Sequence, residues 1–98
     1  MPMDRRIWPD AEIPPGETLA EELEARGMTQ TELARRMGRP SQVISEIVRG
    51  VKKITPETAL QLEEVLAIPA HVWTRLEADY QLNRARLQRA RRQAAAAS

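Results

Sequence analysis

Hydrophobic positions in this chain recur at three- and four-residue steps in five stretches, each bracketed by residues that start or stop a helix. Between Met28 and Gly50, Leu33, Ala34 and Met37 make one apolar stripe, and Ile44, Ile47 and Val48 make another. Thr29, followed three residues later by Glu32, predicts a capping box at the start of the first of these helices. Gly38 predicts its stop, where the backbone can turn left-handed. Pro40 cannot lie inside a helix and is expected in the first turn of the next one, which Gly50 ends. Two short helices joined by a glycine-containing turn predict a helix-turn-helix, with the small Ala34 where the second helix crosses the first.

The flanking patterns extend this to five helices. Leu19, Ala20 and Leu23 predict a helix over 17–26, with Glu17, Glu21 and Glu22 toward its electropositive start, Gly27 as its stop and Met28 filling the junction. Thr55, Pro56 and Glu57 are the opening of a fourth helix that runs to about Leu66, with Leu62, Val65 and Leu66 inward. Pro69 opens a fifth, in which Val72, Trp73, Leu76, Tyr80 and Leu87 recur. Strong helix formers carry it past Arg84 before a low-complexity end over 94–97 that is expected to fray. Ahead of all five, Pro9, Pro14 and Pro15 interrupt the isolated apolar residues Ile7, Trp8 and Ile13, which predicts an extended arm. The expected organisation is an arm over 1–15, an all-α helix-turn-helix domain over 16–88, and a basic, alanine-rich tail over 89–98.

Composition narrows the function classes. A chain of 98 residues holds one domain with a modest core, and with no Phe that core must come from Leu, Ile, Val, Ala and Met. No cysteine is present, which excludes a disulfide framework and thiolate metal sites. With no membrane-length apolar run and no signal peptide, a cytoplasmic protein without a membrane partner is expected. The net charge of +1 conceals a sharp segregation. Residues 9–26 carry six acids against Arg26 alone, residues 27–53 carry six cations against Glu32 and Glu46, and five arginines with no acid follow Asp79. Positive charge therefore collects at the helix-turn-helix and at the tail, as phosphate binding requires.

Catalysis finds no support. His71 is the single histidine and has no partner at ligand spacing, and no phosphate loop, nucleophile elbow or HExxH pattern occurs. No enzyme activity, metal or cofactor is expected. Nucleic-acid chemistry is better served. With Ile44, Ile47 and Val48 inward, the second motif helix turns Ser41, Gln42, Ser45, Glu46 and Arg49 outward, and its N-terminal residues are the ones that meet base edges in the major groove. Gln42 has the amide geometry for a bidentate pair with adenine, Glu46 can accept from cytosine N4, and Val43 can touch a thymine methyl. Glu46 requires a base partner or neutralisation by Arg39 or Arg49. Gln30, Arg39, Arg49, Lys52 and Lys53 flank this face as candidate phosphate contacts that set register. The apolar run on the fifth helix, Trp73, Leu76, Tyr80 and Leu87, is a candidate dimer surface; for Trp73 the alternative is that it caps the core from outside.

These same residues carry a family resemblance. TQTELARRMG, ISEIVRG, ITPETALQLEEVL and IPAHVWTRLEADYQL, preceded by PGETLAEELEARG, closely resemble the HigA-type antitoxins of the Xre group of helix-turn-helix regulators. The resemblance covers about Pro15 to Leu87. It implies a five-helix lambda-repressor-like domain and a homodimer built partly through the C-terminal helix. It also implies binding to a palindromic operator in the chain's own promoter, and a small RelE-like (HigB-type) ribonuclease toxin as partner. Carried over by position, the base-reading residues are Ser41, Gln42, Val43 and Glu46, with Gln30 near a phosphate. Pro14 and Pro40 stand where many members have His and Ser. Other readings are a helix-turn-helix regulator without a toxin, an interaction module that has lost DNA binding, and the DNA-binding half of a longer metallopeptidase-type regulator.

Overall fold

In the computed structural model, residues 14–97 are described. Five helices follow one another in chain order: α1 (Pro15–Arg26), α2 (Gln30–Met37), α3 (Ser41–Val48), α4 (Pro56–Leu66) and α5 (Ala70–Ala97). The expected segment from Met1 to Ile13, with Ile7 and Trp8, lies outside the described residues.

The helix ends follow from local chemistry. Thr29 Oγ1 accepts the Glu32 amide at 3.0 Å and Thr55 Oγ1 accepts the Thr58 amide at 3.2 Å, so α2 and α4 are both capped by a threonine. The Glu32 carboxylate meets Arg36 one turn further on, at 2.8 Å. α1 and α2 each close with a pair of backward hydrogen bonds around a left-handed glycine. Met28 N donates to Leu23 O and Gly27 N to Glu24 O; Arg39 N donates to Ala34 O and Gly38 N to Arg35 O. α4 ends without that help: Ala67 adopts φ 59°, the single non-glycine with positive φ among the described residues. The start of α5 is capped at a distance, because the Glu63 carboxylate on α4 accepts the Ala70 amide at 2.8 Å.

Two boundaries differ from the sequence reading. α1 begins at Pro15 rather than Glu17, with Pro14 in the cap position and Glu17 N donating to Pro14 O at 3.0 Å. Pro15 is buried, so the end assigned to the arm belongs to the folded body. Pro40 is the N-cap of α3 rather than a residue of its first turn, with extended backbone (ψ 143°). A third finding concerns the tail: α5 runs unbroken for 28 residues across position 88, about 42 Å at the rise of an α-helix.

The core joins all five helices. Leu19, Leu33, Ile44, Leu62, Ala59 and Trp73 are each fully excluded from solvent, with Leu23, Ala34, Met37, Ile47, Ile54 and Leu66 nearly so. Trp73, read from sequence as either a dimer-surface residue or an outer cap on the core, is 0% exposed and lies inside the core. Its Nε1 is buried with no hydrogen-bond partner. One close approach sets how α3 is held. A Cβ added at Gly16 would lie 1.9 Å from the Ile47 carbonyl oxygen, so the first turn of α1 lies directly on the last turn of α3.

Candidate nucleic-acid interface

α3 presents its face as its spacing requires. Ile44 and Ile47 are buried against the rest of the core, which leaves Ser41, Gln42 and Arg49 exposed and Ser45 and Glu46 half-buried. Gln42, Glu46 and Arg49 lie at steps of four and three residues and so share one side of the helix. Val43 is half-buried and packs against the core, so only part of it is available to a ligand.

Of the cations around this face, Arg39 is held from a distant part of the chain and Arg49 by its own helix. Arg39, in the turn between α2 and α3, is half-buried and donates from Nη1 to Gln61 Oε1 on α4 at 3.0 Å. Arg49 Nε reaches back to the Ser45 carbonyl at 3.4 Å. Neither forms an ion pair with Glu46, so of the two alternatives for its charge, neutralisation by Arg39 or Arg49 does not occur among the described residues. Gln30 is exposed as the first residue of α2.

Beyond α3 the loop is anchored at both ends. Val51 N and Lys52 N both donate to Glu46 O, at 2.9 and 3.2 Å, and Ile54 N donates to Glu77 Oε1 on α5 at 2.8 Å. Lys52 and Lys53 lie exposed between these anchors. The three residues that hold the surface in place, Gly16, Gln61 and Glu77, act across 31, 22 and 23 positions of sequence. Only Gly16 carries a local signal, a glycine inside a helical turn that would favour almost any other residue.

A helix-turn-helix family model matches residues 19–73, from α1 into the start of α5. The chain belongs to the helix-turn-helix family. Among curated proteins it is similar to the Virulence-associated protein A of Dichelobacter nodosus, 40% identical over 65 residues. That match takes in 63% of this chain and 62% of the relative, so the chain spans less than two thirds of that protein's length. Among solved structures it is similar to an addiction module antidote protein of the HigA family from Coxiella burnetii. That pair is 31% identical with a TM-score of 0.76, over 82% of this chain and 88% of the other. It is similar also to the antitoxin HigA of Pseudomonas aeruginosa, solved with the higBA promoter, at 27% identity and a TM-score of 0.76 over the same shares. The five-helix, Xre-type fold is thus shared with HigA-type antitoxins.

On α5, Leu76, Tyr80 and Leu87 of the expected dimer stripe are half-buried, while Leu82 stands 50% exposed on another side of the helix. Leu60 on α4 and Val51 in the loop are also largely exposed, at 54% and 66%.

Proposed function

We propose that this chain is an operator-binding antitoxin that acts as a homodimer, represses its own operon and neutralises a small RelE-like ribonuclease toxin in the cytoplasm. It is not an enzyme in this reading and needs no cofactor. The observation that carries the reading is the polar side of α3, with exposed Gln42 and half-buried Glu46 one turn apart, set among the cations of the motif. Ser41, Gln42 and Glu46 read base edges, with Val43 adding a thymine contact from its exposed part. Gln30, Arg39, Arg49, Lys52 and Lys53 take phosphates and fix register. With no ion pair to satisfy it, Glu46 takes its partner from a base, a cytosine amino group. Leu76, Tyr80 and Leu87 along α5 contribute to the dimer, which sets the two copies of α3 about 34 Å apart, one turn of B-DNA. The exposed acids Glu17, Glu21 and Glu24 on α1 offer charge complementary to a basic toxin.

The test is binding to the promoter upstream of the chain's own coding sequence, and to a panel of single-base variants of it. Gln42→Ala is expected to relax discrimination at one operator position in each half-site, whereas Lys53→Ala weakens every sequence alike and lowers the salt dependence by about one unit. Equal losses across the panel for both variants refute the assignment. Absence of a complex at low salt refutes DNA binding altogether.

A further inference from the structure

One carboxylate closes the α3–α4 loop onto α5. Glu77 Oε1 accepts the Ile54 amide at 2.8 Å while its Oε2 accepts from Gln81 Nε2 at 2.7 Å. Ile54 is 3% exposed, so the loop ends in a buried anchor, and without Glu77 its amide loses a charge-assisted acceptor. The same region forms an open cleft to which Gly50, Lys52, Lys53, Glu77, Gln81 and Arg84 contribute. Arg84 lies two turns beyond Glu77 on the same side of α5, its guanidinium over the Tyr80 ring at 5.3 Å from the centroid.

The charge balance of this cleft is uneven. Both oxygens of its one carboxylate are occupied by uncharged donors. Among the described residues no acid forms an ion pair with Lys52, Lys53 or Arg84. Three cations thus face one opening, two on a loop that follows the reading helix and one on the long helix beside it. An open basic surface on the loop that directly follows α3 suits an extended polyanion rather than a small anion that needs enclosure.

We propose that this cleft seats a DNA-backbone phosphate beyond the helix-turn-helix itself, with Arg84 of α5 as a phosphate contact beside Lys52 and Lys53, and Glu77 as the positioning residue that holds their loop against it. The proposal rests on the DNA-binding reading above. Its mechanism is pre-organisation: the loop amide is fixed before the DNA arrives, so the lysines lose less freedom on binding.

Backbone contacts are sequence-independent, so the experiment uses the full chain with a fluorescent mixed-sequence duplex, its anisotropy read over a series of salt concentrations. Arg84→Gln is expected to lower the slope of log K against log salt by about one unit, and Arg84→Lys to keep it, since only the charge is required. Glu77→Ala lowers the slope as loss of a lysine contact does and speeds hydrogen exchange of the amides over 51–54. Glu77→Gln restores both, because its amide oxygen still accepts from Ile54. In a chain already carrying Lys52→Ala and Lys53→Ala, Glu77→Ala causes no further fall in slope; a general loss of folding adds to it and also shows in the helical circular dichroism. A wild-type slope in both Arg84→Gln and Glu77→Ala overturns this inference while leaving DNA binding intact. Failure of the wild type to bind any duplex at low salt overturns the DNA-binding reading and this inference with it.

Discussion

Replacing Gly16 with alanine tests the contact that fixes the recognition helix. The added Cβ would lie 1.9 Å from Ile47 O, 2.7 Å from Ile47 C and 2.8 Å from Val48 Cα, all backbone atoms. No side-chain rotation relieves such a clash, so α1 and α3 must separate by about 1.5 Å to recover an ordinary 3.4 Å contact. Overpacking of this kind costs up to roughly 3 kcal/mol, and the better helix propensity of alanine returns at most about 1 kcal/mol. A net loss of about 2 kcal/mol lowers the melting temperature of a domain this size by on the order of 10 °C. The matched control is Gly27→Ala, where φ is 62° and nothing lies within 4 Å of the new Cβ. Its cost is conformational alone, about 1 kcal/mol. Thermal denaturation followed by circular dichroism measures both. If Gly16→Ala melts within a few degrees of the wild type, or no lower than Gly27→Ala, the close approach of α1 to α3 is wrong. Because Ile47 and Val48 end the helix that carries Gln42 and Glu46, the same substitution is expected to weaken operator binding well below its melting temperature.

Two further substitutions probe the helix ends. Ala67→Gly removes the strain of a left-handed alanine at φ 59° and keeps the Ala67 N to Glu63 O hydrogen bond of 2.9 Å. It is expected to stabilise the fold by about 0.5–1 kcal/mol, an upward shift in calorimetric melting that contradicts the assignment if it reverses. Thr29→Ala removes the acceptor of the Glu32 amide at the start of the helix-turn-helix and is expected to cost about 1 kcal/mol. Urea titration should show the loss, with Thr29→Ser close to wild type; an equal loss in both places the effect elsewhere.

The elements that the pattern predicted are those whose determinants lie within one or two helical turns. Thr29, Gly38 and Thr55 act on amides and carbonyls three or four residues away and Pro56 presets its own backbone angle, so α2 begins and ends, and α4 begins, where those residues place them. The inward stripe of α3 follows from periodicity alone, and the outward position of Gln42 follows from the stripe. Pro15 shows the limit of a local rule. A proline reads equally as an extended residue or as a helix start, and here Pro15 is buried beside Gly16, whose close approach to α3 decides for the helix. Trp73 shows another limit, since its spacing marks an apolar face without saying whether the neighbour on that face belongs to the same chain or to a second one.

The sequence by itself determined the five-helix order, the helix-turn-helix and the side chains that α3 turns outward, because capping and periodicity are short-range effects. Tertiary structure decided how that surface is held. Gln61 holds Arg39, Glu77 holds the Lys52–Lys53 loop, Glu63 caps α5, and Gly16 admits α3 against α1. Apart from the Glu63 cap, which spans only the α4–α5 turn, each of these pairs is brought together only when the core closes over Leu19, Ile44, Leu62 and Trp73. Hydrophobic burial drives that closure without regard to direction, so no spacing along the chain records which polar groups it will place side by side.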